Sequence, residues 1–91
     1  MGYHWLPGLL AILRGIEPHE IFQALAATDR WPRTATGSDG QPYLTIWART
    51  NAGRPIMVVT KADGQLDWTI IGAQPLSPEQ TAEFATWEAS R

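Results

Sequence analysis

Between residues 42 and 73 the chain runs through three β-type segments separated by two tight turns, and this stretch constrains the fold more than any other. Residues 42–50 alternate. Leu44, Ile46 and Ala48 point one way, and Tyr43, Thr45, Trp47 and Arg49 the other, as a strand's period of two requires. Asn51-Ala52-Gly53 has the form of a three-residue hairpin connection with glycine at its end. Residues 55–61 (PIMVVTK) are apolar on both faces, the sign of a central strand. Ala62-Asp63-Gly64-Gln65 turns the chain again, and residues 67–73 (DWTIIGA) make the next strand. Connections this short join antiparallel neighbours, so a β-meander is predicted.

The flanks read as helices. In residues 6–14, Leu6, Leu9, Leu10 and Leu13 fall three and four apart on one stripe, and Gly15 stands where a helix-ending glycine belongs. Glu17-Pro18-His19-Glu20 reads as a second helix start, with proline in the first turn and acids complementing the helix dipole. This helix is predicted to run to about Ala27, with Ile21, Phe22, Leu25 and Ala26 as its apolar stripe. Residues 34–41 (TATGSDGQ) are polar and turn-rich, and a loop is expected there. Ser77, Pro78 and Gln80 form the N-cap, first position and capping box of a last helix with a thin aromatic stripe, Phe84 and Trp87. The expectation is one α+β domain over residues 1–91. Two N-terminal helices precede an antiparallel meander of three to four strands, and a C-terminal helix packs on the sheet.

Composition narrows the function. With no cysteine, neither a disulfide nor a thiolate zinc site can support a core of this size. The two histidines are fifteen residues apart, without metal-ligand spacing, and the glycines sit in turns rather than in a phosphate-binding loop. No serine lies in a nucleophile-elbow context, so no metal site and no cofactor are expected. The net charge is -2, and the acids outweigh the bases from residue 55 onward. A nucleic-acid surface is therefore expected only as a local patch around Arg30, Arg33, Arg49 and Arg54. No run approaches the ~20 apolar residues that span a bilayer, and no basic segment precedes an apolar one at the N-terminus, so the expected location is the cytoplasm. Five tryptophans in a chain this short suit either a core or a partner surface.

A family resemblance runs through residues 13–88. Arg14-Gly15-Ile16 precedes a helix spanning residues 20–27, and Leu44-Thr45-Ile46-Trp47-Ala48-Arg49 leads into Gly53-Arg54. The apolar run 56–61, then Ile70-Ile71-Gly72-Ala73-Gln74 and the Ser77 helix follow. In order and spacing this resembles the BrnT toxins, a branch of the RelE-like ribonuclease toxins of bacterial type II toxin–antitoxin pairs. Gln74 stands where that family has arginine and Arg14 where it has histidine, and the terminal helix carries Glu79, Glu83 and Glu88 where the family's is often basic. The resemblance implies a RelE-like fold and an endoribonuclease that cuts without a metal. It also implies an antitoxin protein as partner.

RNA cleavage through the ribose 2′-hydroxyl needs a base, an acid and cations facing the phosphorane charge. Arg49 and Arg54, flanking one turn, are the candidate phosphate clamp. Lys61 at a strand end is a candidate charge partner or proton donor, and His19 a candidate acid–base group. Tyr43 and Trp47, beside Arg49 on one strand face, together with Arg33, are candidates for holding the RNA. His4, between Tyr3 and Trp5, carries little signal for chemistry. The alternative reading is a non-enzymatic domain of the same architecture that binds a protein through its tryptophans and its last helix. Neither reading specifies an oligomeric state.

Overall fold

A computed structural model of the chain describes residues 2–5, 8, 15–63 and 67–91. They form β1 (Gly2–Trp5), α1 (Pro18–Ala26), β2 (Trp31–Thr36), β3 (Pro42–Arg49), β4 (Pro55–Asp63), β5 (Asp67–Pro75) and α2 (Pro78–Ala89). The strands make one five-stranded sheet in the order β1-β5-β4-β3-β2. β2 to β5 pair antiparallel with one another, whereas β1 runs parallel to β5 at the edge.

This corrects the expected architecture of two N-terminal helices followed by a meander. The chain begins with a strand, the sheet is mixed, and the described residues hold two helices, one mid-chain and one C-terminal. The helix expected over residues 6–14 lies outside the described residues, Gly8 apart. Residues 34–36, expected in a loop, complete β2. Both misreadings have a physical cause. β1 is four residues long, too short to display alternation, and its partner lies more than sixty residues away. β2 is the opposite edge strand, so its residues stay largely in solvent and its polarity imitates a loop.

Each helix covers one face of the sheet. Below, α1 places Ile21, Ala24 and Leu25 against Ile46, Ala48, Ile56, Val58 and Ile70, with Ile16 closing the cluster. Phe22, expected on that stripe, is instead 55% exposed and packs edge-on against Trp5 at 5.2 Å. Above, α2 places Phe84 and Trp87 against Trp31, Trp47, Met57 and Val59, with Leu76 beside them. β4 supplies Ile56 and Val58 to one core and Met57 to the other, which accounts for its lack of amphipathic alternation.

A β-bulge tunes β5. The register passes from Val59 opposite Gly72 to Thr60 opposite Ile70, so Ile71 is the inserted residue. Ile70 and Ala73, three apart, thereby share the α1 face, where unbroken alternation would oppose them. Thr60 is fully buried there and its hydroxyl donates to the Leu44 carbonyl at 2.8 Å, so this polar side chain is satisfied. Among the described residues no helix is long and apolar enough to cross a membrane.

Candidate functional site

The two arginines expected to clamp phosphate flank one turn but face opposite sides of the sheet. Arg49 alternates onto the α2 face, where its Nε and Nη2 donate to the Glu88 carboxylate at 2.9–3.1 Å and its Nη1 to the Gly53 carbonyl at 3.1 Å. Arg54 turns to α1, and its Nη1 donates to both Glu20 oxygens, at 3.1 and 3.2 Å. Glu20 also accepts the Glu17 backbone N–H, at 2.9 Å. That backbone bond, and next the Arg54 guanidinium, hold its carboxyl below the ordinary value. His19 is exposed in the first turn of α1, on the side of the sheet away from the α2 face.

The remaining candidates gather on the α2 face. Arg33 lies between two indoles, its guanidinium carbon 4.5 Å from the Trp31 ring centre and 4.7 Å from that of Trp47. Its Nη1 meets the Glu83 carboxylate at 2.7 and 2.9 Å. Trp31 stacks on Trp87 with centroids 5.2 Å apart and planes 3° from parallel, and Trp87 stacks in turn on Phe84. Trp47 is 6% exposed, and its indole N–H is buried with no acceptor among the described residues. The aromatic strand face expected to hold RNA is thus covered by α2.

Beyond the end of α2 no described helix covers the same face. Lys61 pairs across the sheet with Thr69, and Thr69 with His4, so the three stand in one cross-strand row. His4 Nε2 is 3.2 Å from the Asp67 carboxylate, with both side chains about half exposed. One step past the pairing of Leu44 with Thr60, the antiparallel register brings Tyr43 opposite Lys61. The Tyr43 hydroxyl donates to Asp39 at 2.8 Å, and that bond raises the phenol's pKa. The same carboxylate, bound first by the Gln41 N–H and then by this phenol, is held below its ordinary value. The Tyr43 ring packs so closely on the β2–β3 turn that a Cβ on Gly37 would stand 2.2 Å from its Cε2.

His4 is the residue that sequence reasoning passed over. Its partner Asp67 is remote in sequence, and only the parallel pairing of β1 with β5 joins them. Among the described residues no group of three His, Asp or Glu side chains could hold a metal ion. No protein-family model matches the chain, and no curated protein sequence matches it either.

Proposed function

We propose that this chain is the toxin component of a bacterial type II toxin–antitoxin pair and cuts RNA at a site on the α2 face beyond the end of that helix. The row of Tyr43, Lys61, Thr69 and His4, with Asp67 behind the imidazole, carries this reading. It supports the reaction in three ways. An imidazole held by a carboxylate is a competent base for a 2′-hydroxyl, because the carboxylate orients the ring. Lys61 stands two strands away from His4, roughly 10 Å across the sheet between backbones, and its ammonium is a cation for the phosphate such a hydroxyl would attack. The Tyr43 ring offers a stacking surface for a base.

In this scheme His4 takes the 2′ proton as the 2′-oxygen bonds to phosphorus. The bond from phosphorus to the 5′-oxygen breaks, and Lys61 returns a proton to that leaving oxygen. The products are a 2′,3′-cyclic phosphate and a free 5′-hydroxyl. The test is expression from a tightly controlled promoter in a bacterium, with the purified protein then incubated with RNA. Wild type is expected to arrest growth and yield cyclic-phosphate ends. His4→Ala and Lys61→Ala are each expected to lower cleavage by roughly 100-fold or more at equal protein level. Normal growth with abundant, folded wild type and intact RNA would remove the nuclease reading.

A second reading, a non-enzymatic domain that binds a protein partner, is favoured by one observation. Arg33, Arg49, Arg54 and Arg91 already hold Glu83, Glu88, Glu20 and Asp29, so among the described residues most arginines are committed to carboxylates rather than free for phosphate. The growth and cleavage outcomes separate the two readings.

A further inference from the structure

We infer that the sheet face beneath α2, built by Trp31 and Arg33 of β2 and Trp47 and Arg49 of β3, is a binding surface for single-stranded RNA that α2 occludes by imitating the ligand. The inference deepens the RNA-cleaving reading and takes from it the identity of the nucleic acid.

Single-stranded RNA is held by aromatic rings that stack on bases and by cations that meet phosphates. Both appear here at alternate positions of neighbouring strands, Trp31 opposite Trp47 and Arg33 beside them. α2 meets each element with its counterpart. The Trp87 indole lies flat on Trp31, in the way a base would. The Glu83 and Glu88 carboxylates sit on Arg33 and Arg49, in the way phosphates would. The Trp47 N–H has no acceptor among the described residues, and a ribose or phosphate oxygen is an acceptor α2 does not supply.

The helix is anchored at one main point. Phe84 is its one buried residue, and Trp87 is half-buried. The two glutamate–arginine bridges are partly exposed, with side-chain exposures of 24–45%, and bridges of that kind contribute little net stability. The covered face lies on the same side of the sheet as the row of Lys61 and His4, so a strand bound on it would run on toward the proposed cleavage site.

The test measures binding of the full chain to a fluorescein-labelled 2′-O-methyl uridine dodecamer by fluorescence anisotropy. That oligonucleotide lacks a free 2′-hydroxyl and cannot be cut, so the result is independent of whether the chain is a nuclease. The variants are Glu83→Gln, Glu88→Gln and the double substitution. Glu79→Gln serves as the control, since Glu79 is exposed on the same helix and has no arginine partner among the described residues. The double variant is expected to bind roughly tenfold or more tightly than wild type, with each single variant between. Glu79→Gln is expected to match wild type, and Arg33→Ala added to the double variant to abolish the gain. Thermal melts establish that each variant is folded, and if the double is not, the two singles decide. A gain no larger than that of Glu79→Gln would reduce the effect to net charge and overturn the inference, as would a gain that survives Arg33→Ala.

Discussion

Gly37 shows how a single position can be set by space rather than by backbone conformation. Its φ is not positive, yet an added methyl would meet the Tyr43 ring at 2.2 Å and the Asp39 carboxylate at 2.8 Å. The aromatic ring is rigid, so the turn itself must move to make room. Gly37→Ala is expected to lower stability by about 1–3 kcal/mol in urea unfolding. It is also expected to loosen the Tyr43–Asp39 bond, and because that bond raises the phenol's pKa, Tyr43 in the variant should ionise at lower pH in an ultraviolet titration. Unchanged stability and an unchanged titration would show that the ring yields freely. The sequence marked residues 34–41 as turn-rich, but nothing local announced that one glycine there is held by a ring six positions on.

At the level of elements, α2 is the case where local signal and structure agree most fully. The Gln80 N–H donates to the Ser77 hydroxyl at 3.1 Å, and the Ser77 N–H donates to the Gln80 side chain at 2.9 Å, so the capping box satisfies two helix-end donors. Ser77→Ala is expected to cost about 1 kcal/mol, read as a shift in the urea midpoint at constant slope. Phe84→Ala should cost more, about 3–5 kcal/mol, because its ring is fully buried between Trp47, Met57 and Leu76. β2 is the opposite case. Its signal was masked because an edge strand on a sheet covered by helices keeps polar residues, and polarity is also what marks a loop.

Acid dependence belongs to the whole molecule, because the group concerned joins elements far apart in the chain. Glu20 ties the start of α1 to Arg54 after the β3–β4 turn, and its carboxyl is held below the ordinary 4.5 chiefly by the Glu17 N–H and then by Arg54. A carboxyl depressed in the folded state contributes stability above its unfolded value, and loses it as pH falls through the folded value. The urea midpoint of wild type is therefore expected to hold near neutrality and to fall as the medium is acidified below about 4.5. Glu20→Gln should start lower at neutral pH and lose less on acidification. Parallel curves for the two proteins would show that Glu20 makes no net contribution.

The sequence by itself determined the local pieces. It placed the three central strands and the turn between the first two, the second helix start at Pro18, the capped last helix and the partition of β3 into two faces, whereas Ala62 and Asp63, expected to open the next turn, extend β4, and the rest of that turn lies outside the described residues. These rest on interactions a few residues apart, and periodicity and capping report such interactions directly. Only the tertiary structure decided the rest. It made residues 2–5 an edge strand, put the bulge at Ile71 and assigned the two sheet faces to different helices. It turned Arg49 and Arg54 to opposite faces and brought His4 to Asp67. Each of these depends on which distant segments share a sheet, and that choice is made by burying whole faces at once. The chemistry of the proposed site was visible in the chain as residue types, but its assembly into one row came from the pairing of the first strand with the last.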